Sequence, residues 1–285
     1  MIPKCNIVAE IGAVHLGNMD RAINLCRLAK LCNVDYIKIQ KRCPEESTPL
    51  AIQDKPHPNQ MFAYGKTYLE HRKNLELTIQ QHEKIKNFCE NEIGVRYSTS
   101  VWDVTSAKEV VSLNPDYIKV GSPTNQNFTL LQYLCEYYVG VIHISLGMIT
   151  KEERQEIIDF MKNKVDPSRV VYYHCTNEYP TPFNHMYLNE ILEIRKIIPK
   201  ESSIGFSNHG YGISIDPVAY AMGATWIERH FVDDRTLKHT DASFSLEPHG
   251  LSDLCRNIKA VQECMQYKEK MSDFEIEQRK KLKGM

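Results

Sequence analysis

Short apolar, β-branched segments alternate with stretches of helical periodicity along most of the 285 residues. The apolar segments fall at 7–11, 34–39, 95–99, 117–121, 140–146, 170–175, 203–206 and 225–230, which predicts about eight strands. Helical patterns at 21–31, 78–90, 105–113, 129–138, 151–163, 186–198 and 214–222 lie between most of them. In the first of these, Ala22, Leu25, Leu28 and Ala29 share one face. Strands alternating with helices imply parallel β-α units joined by right-handed crossovers. Eight such units in this length predict an α/β fold of the (β/α)8 TIM-barrel type. An open doubly wound sheet is the competing architecture, and no G-x-G-x-x-G follows the first strand to support it. Residues 44–66 hold four prolines and little periodicity, and read as a long loop after the second strand, where a barrel can carry an active-site flap. Past Met265 the chain is polar and strongly charged. The expected division is a barrel over 1–267 and a polar C-terminal tail over 268–285, with no second domain.

Composition narrows the function classes. Hydrophobic residues make up 42% and charged residues 25%, a mix that supports a sizeable globular core. Lys and Arg number 35 against 36 Asp and Glu, so there is no electrostatic case for nucleic acid or an anionic membrane, and any bound anion needs a local site. Nine cysteines are scattered without a C-x-x-C pair, which argues against structural zinc and fits reduced thiols in the cytoplasm. The opening MIPKCNIVAEIG lacks the apolar stretch of a signal peptide, and no run of 18 apolar residues is present to span a membrane.

In a barrel, chemistry gathers where strands end. Polar residues stand at those ends: Glu10; Lys38 and Gln40; Ser98, Thr99 and Ser100; Lys119 and Ser122; Ser145; His174, Thr176 and Asn177; Ser207 and His209; Glu228 and His230. Two lysines on alternate strands with hydroxyls between them make a cradle for phosphate or carboxylate, since a buried ammonium needs an opposite charge. The competing reading pairs each lysine with a core carboxylate such as Glu10 or Glu228. His209 and His230, on neighbouring strands, could share one metal ion with positions left open for substrate, or be hydrogen-bonded structural histidines.

Nine short motifs in order carry a resemblance: AEIGAVHLGNMDRAINLCRLAKLCNVDYIKIQK, YLEHRKNLELT, YSTS, YIKVGS, ISLGM, HCTNEYPTP, IGFSNHGYGI, GATWIERHF and DASFSLEP. Over about residues 7–259 the chain resembles the sialic acid synthases, the group making N-acetylneuraminate, legionaminate and pseudaminate. The resemblance implies a (β/α)8 barrel that condenses phosphoenolpyruvate with an N-acyl hexosamine aldehyde, giving a nine-carbon 2-keto acid and phosphate. It implies a divalent cofactor, Mn2+ or Mg2+, held by His209 and His230. Lys38 and Lys119 correspond to phosphoenolpyruvate anchors, with Thr99, Ser122, Ser145, Asn177 and Ser207 as their partners. Glu10 corresponds to an acid/base, and Gln40, Tyr179 and Asp241 to sugar-contacting or metal-proximal residues.

Three departures stand out. Where the family commonly has an acid after K-x-G-S-G, this chain has KVGSPT, with Pro123 and Thr124. The family's N-H-x-G reads Val14-His15-Leu16-Gly17. Many members continue into an antifreeze-like domain that completes a partner's site across a dimer; none is expected here, so a homodimer or a separate chain supplying that domain is the expected partnership. Together these predict weaker or altered selection of N-acetylmannosamine. Two rivals are a phosphoenolpyruvate–aldose phosphate synthase, which needs a further basic cluster not visible in the sequence, and a degenerate sugar-binding barrel without catalysis.

Overall fold

The computed structural model describes residues 3–284. Eight parallel strands close into a barrel in chain order, with the first paired to the last. They are β1 (Asn6–Gly12), β2 (Tyr36–Lys41), β3 (Arg96–Val101), β4 (Tyr117–Val120), β5 (Val141–Ser145), β6 (Val170–Cys175), β7 (Ser203–Asn208) and β8 (Trp226–His230). Helices at Met19–Leu31, Ile79–Asn87, Val104–Leu113, Phe128–Tyr137, Lys151–Lys162, Glu190–Ile197, Asp216–Ala221 and Pro248–Cys264 follow the strands. The predicted strands all occur, in the predicted order.

Two regions differ from expectation. Residues 44–66 are not structureless: they contain short helices at Pro44–Ser47 and Leu50–Gln53 and a 3-10 turn at Gln60–Phe62, and a further helix, Tyr68–Asn74, follows. A reciprocal Thr67–Glu70 capping box starts that helix. The helix Pro248–Cys264, which sequence reading omitted, buries Leu251, Leu254, Cys255 and Ile258 on one face and completes the eighth unit. In the polar C-terminal segment, Asp273–Lys283 is a helix with no buried residue. Among the described residues no helix is long and apolar enough to cross a membrane.

Alternation along each strand sorts the side chains into two cores. Outward residues such as Ile37, Ile39, Ile118 and Ile142 meet the helices. Inward residues stack in layers. The lowest is aromatic: Tyr36, Tyr117, His143 and Trp226 pack with ring centroids 3.7–5.4 Å apart. Tyr173 fits there because position 205 is glycine, where a Cβ would come within 2.4 Å of its ring. Above this apolar floor the inward positions turn charged and polar, and that change places the site.

Candidate active site

The layer above the aromatic floor holds Glu10 of β1, Lys38 of β2, Lys119 of β4 and Glu228 of β8, all at most 4% exposed. Lys38 Nζ lies 2.5 Å from Glu10 Oε2 and 3.7 Å from Glu228 Oε1, and donates to Ser100 Oγ at 2.6 Å. Lys119 Nζ donates to Glu228 Oε1 at 2.7 Å and sits 4.2 Å over the Tyr173 ring. Ser207 Oγ donates to the same carboxylate oxygen at 3.2 Å. Two ammonium groups thus face two carboxylates, and the layer carries no net charge.

Burial alone would raise the pKa of Glu228, but Lys119 and Lys38 outweigh it and hold this carboxyl well below its ordinary value. Burial lowers Lys119, with Glu228 opposing. The two shifts pull the pair in opposite senses. With a second ammonium on the same carboxylate, the ionised form of Glu228 governs. The competing sequence reading, lysines paired with Glu10 and Glu228, therefore describes the contacts seen. It leaves room for substrate, because Glu228 Oε2 and Ser122 Oγ are buried without a hydrogen-bond partner.

Around this layer a recess of about 80 Å3 is lined by Glu10, Lys38, Gln40, Lys119, Ser122, Ser145, Asn177, Tyr179, Ser207, His209 and His230, eleven of the thirteen residues expected from sequence. The other two lie elsewhere. Thr99 points out of the barrel, and its hydroxyl donates to Tyr97 at 2.8 Å. Ser100, one residue on, faces inward in its place, because alternation puts Lys38, Ser98 and Ser100 on one side of the sheet. Asp241 stands at the rim, 4.0 Å from His230 Nδ1. Ser100, Trp102, Gly121, Pro123, Cys175 and Glu228 complete the lining; of these Ser100 and Glu228 stand at predicted strand ends but were given no role in binding or catalysis. For Glu228 the signal was present: it shares strand parity with His230.

Loop chemistry tightens the recess. A Cβ on Gly147 would lie 2.1 Å from Asn177 Oδ1 and 2.7 Å from Ser122 Oγ, so only glycine lets this turn approach. Thr124 follows in the 3-10 turn Ser122–Thr124, its hydroxyl buried and unpaired. This turn also lines an adjoining cavity of about 440 Å3 with Met148. A cavity of about 830 Å3 lies at the opposite, amino-terminal end of the barrel, lined by residues such as Lys4, Asp35 and Arg256. Larger though it is, among the described residues none of its lining side chains has a buried unpaired polar atom of the kind that marks the recess.

His209 and His230 face each other with ring centroids 5.5 Å apart. His209 Nδ1 is 2.9 Å from the Thr176 carbonyl, which can only accept, so Nδ1 carries the proton and Nε2 keeps its lone pair. Burial, then the neighbouring His230, lowers His209 to about 3, so it is neutral near pH 7, as a metal ligand must be. His230 Nδ1 is buried without a hydrogen-bond partner. With metal–nitrogen bonds of about 2.1 Å, two imidazoles sharing an ion have centroids roughly 5–6 Å apart. Among the described residues no group of three or more His, Cys, Asp or Glu gathers as a metal cluster. The donor set fits an open site of two imidazoles, with Asp241 nearby.

Comparison with known proteins places this arrangement. The NeuB family profile matches residues 25–270. An N-acetylneuraminate-9-phosphate synthase of Homo sapiens is 33% identical over 92% of this chain and 71% of its own length. An N,N'-diacetyllegionaminic acid synthase of Campylobacter jejuni is 27% identical over 92% of this chain and 78% of its own. A crystal structure of an N-acetylneuraminic acid synthetase from Leptospira borgpetersenii superposes with a TM-score of 0.81 at 24% identity, covering 99% of this chain and 94% of that one, and shares the barrel. On the strength of the profile and the human relative, this chain belongs to the NeuB family.

Proposed function

We propose that the chain condenses phosphoenolpyruvate with the aldehyde of an N-acyl hexosamine, giving a nine-carbon 2-keto acid and phosphate, with a divalent metal ion as cofactor. The observation that carries this reading is the buried layer in which Lys38 and Lys119 meet unpaired hydroxyl and carboxylate atoms, directly below two imidazoles free to take a metal. The two ammonium groups and the free Ser122 hydroxyl suit a small anion, and the unpaired carboxylate oxygen suits a donor such as water or a substrate hydroxyl.

In this reading Lys38 and Lys119 bind the phosphate and carboxylate of phosphoenolpyruvate, with Ser100, Ser122, Ser145, Asn177 and Ser207 supplying hydrogen bonds. Held there, carbon 3 faces the aldehyde carbon, and positioning of this kind removes much of the entropic barrier. A divalent ion held by His209 and His230 would supply Lewis-acid polarisation of the aldehyde oxygen. The new carbon–carbon bond leaves carbon 2 electron-poor. Water adds at carbon 2, and the carbon–oxygen bond to phosphate breaks to leave the ketone. Glu10, which accepts from Gln40 Nε2 at 2.7 Å and pairs with Lys38, is the group placed to carry a proton between these steps. Tyr179, ring centroid 4.5 Å from that of His209, and Gln40 border the acceptor. The nine cysteines are all free thiols, which fits a reducing compartment such as the cytoplasm.

The relatives include both a 9-phosphate synthase and a synthase of a non-phosphorylated acid by name, so family membership leaves the far end of the acceptor open. The test is an assay of phosphate and 2-keto acid release with phosphoenolpyruvate, Mn2+ and a panel of N-acyl hexosamines and their 6-phosphates. Stoichiometric, sugar-dependent release of both products is expected. Phosphate release that ignores every sugar would overturn the reading.

A further inference from the structure

On the wall of the recess opposite His209, a buried donor stands without a partner. In the closed barrel β3 lies across from β7, the strand that leads to His209. Alternation along β3 turns Ser98, Ser100 and, just past the strand's end, Trp102 toward the axis. Trp102 lines the recess. It stands one pleat, about 6.6 Å, nearer the mouth than Ser100. Its indole Nε1 is buried and, among the described residues, has no hydrogen-bond partner. An indole nitrogen can only donate, so a buried one calls for an oxygen to receive its hydrogen.

The ring is held from two sides. Lys41 and Val101 are register partners on β2 and β3. One residue further along, the Arg42 guanidinium lies 3.6 Å over the Trp102 ring. Arg42 Nη2 donates to Gln40 Oε1, and Gln40 Nε2 donates to Glu10 Oε1 at 2.7 Å, so the stack is tied to the carboxylate of the recess. On the main chain, Trp102 N donates to Ser106 Oγ at 3.3 Å. Asp103 Oδ2 accepts from Cys43 N at 2.7 Å, which pins the ends of β2 and β3 together. An indole stacked under a guanidinium has little rotamer freedom left to lose when a ligand arrives, and a donor fixed in advance costs least to use.

The neighbours decide which substrate this donor meets. β3 lies between β2, which carries Lys38, and β4, which carries Lys119 and leads to Ser122. Trp102 therefore stands among the groups suited to an anion. Ser100, one pleat below it, is already engaged, its Oγ accepting from Lys38 Nζ at 2.6 Å. The residues that border the sugar acceptor gather on the far side, with the histidines. Tyr179 has its ring centroid 4.5 Å from that of His209, and Asp241 Oδ2 lies 4.0 Å from His230 Nδ1.

We propose that Trp102 is a further substrate-binding residue, its Nε1–H donating to an anionic oxygen of phosphoenolpyruvate from the mouth side. Lys38 and Lys119 hold the anion from below, and the indole closes its upper edge on the wall away from the metal-binding imidazoles. A neutral N–H bonded to an anionic oxygen makes a charge-assisted contact, stronger than one to a sugar hydroxyl. No proton moves in this contact, which fixes the anion and takes no part in bond making. A phenyl ring at position 102 would keep the stack on Arg42 and lose the donor. The identity of the anion rests on the condensation reading above.

The test is calorimetric titration of the full chain with phosphoenolpyruvate, in Mn2+ and without a sugar, so that no turnover occurs. Trp102→Phe is expected to raise Kd by about 10-fold or more, the scale of one charge-assisted hydrogen bond. Trp102→His, whose Nε2 can take the place of the indole Nε1, should recover part of the loss. In steady state, Trp102→Phe should raise KM for phosphoenolpyruvate and leave KM for the hexosamine unchanged. The unaltered chain gives an independent reading, because it has only two tryptophans. Trp226 lies in the aromatic floor, its ring centroid 4.5 Å from that of His143, so saturation with phosphoenolpyruvate should change the emission of Trp102 alone. That change should vanish in Trp102→Phe. A wild-type Kd in Trp102→Phe, or emission that stays constant at saturation, overturns the contact. A raised KM for the hexosamine with Kd for phosphoenolpyruvate intact gives the donor to the other substrate and also overturns it. The expected binding changes without 2-keto acid from any hexosamine leave the contact standing and overturn condensation. No binding of phosphoenolpyruvate to the unaltered chain overturns both.

Discussion

Glu228 touches both lysines and Ser207, so the charge balance of the site turns on it. Lys119→Ala would leave that carboxylate buried, with its remaining cation 3.7 Å away. Breaking such a pair is expected to cost about 3–5 kcal/mol in stability, besides abolishing turnover. Urea unfolding checks the first part, and a wild-type midpoint would show that the pairing contributes nothing. His209→Ala and His230→Ala should each weaken Mn2+ binding by at least about 10-fold, a loss that titration calorimetry reads without any substrate. The strand-end rule located most of this site, because inward positions of a barrel cannot hold polar side chains cheaply anywhere except at the mouth. It failed at Thr99, where Ser98, Thr99 and Ser100 offer three hydroxyls in a row and composition cannot reveal which parity faces in. That Arg42 and Arg72 border one cleft was equally hidden, since 30 positions separate them and only the fold brings them together.

At the scale of elements, the turn after β7 carries His209 and is fixed from outside itself. Arg229 of β8 is buried and donates to Asp216 Oδ2 and to the Gly212 and Gly210 carbonyls, each at 2.7 Å. Asn208 Nδ2 donates to Asp216 Oδ1 at 3.0 Å, and Gly210 N donates to Asn208 Oδ1 at 2.8 Å. Burial pushes Asp216 up, with Arg229 opposing, so the acid depends on its partner. Arg229→Met should remove about 3–5 kcal/mol of stability and speed amide exchange across 208–214 more than in the other strand-end loops. Uniform acceleration instead would make Arg229 a general core residue with no particular hold on the His209 turn. Strands and most helices were legible because each apolar run had the length and period of its element. The helix Pro248–Cys264 was not, although Leu251, Leu254, Cys255 and Ile258 repeat at helical spacing. Its first turn reads Pro-His-Gly and Glu247 makes no side-chain cap bond, so the usual start signals are weak and packing against the barrel decides.

At the scale of the whole molecule, a buried group that stays neutral in the fold but takes up a proton on unfolding makes stability depend on pH. His82 joins the helix Ile79–Asn87 to the barrel wall, its Nδ1 2.6 Å from the Tyr97 hydroxyl, and it is fully buried. Burial lowers it to about 3, and it lowers His15, just after β1, to about 3 as well. Unfolded histidine titrates near 6.5. Above about 6.5 both states are neutral, and stability does not depend on these groups. As pH falls from 6.5 towards 3 the unfolded chain takes up protons that the fold refuses, so stability must fall. Each such histidine contributes up to about 1.4 kcal/mol per pH unit. The depressed Glu228 acts in the same direction, but only below the ordinary glutamate range. Urea midpoints at pH 7.5, 6.5, 5.5 and 4.5 should therefore be flat at first and then drop steeply. His82→Gln, whose amide can still bond Tyr97, should give a shallower drop. A midpoint that stays constant from pH 6.5 to 4.5 would show that the fold accommodates the charged imidazoles, and that the buried histidines do not set its acid limit.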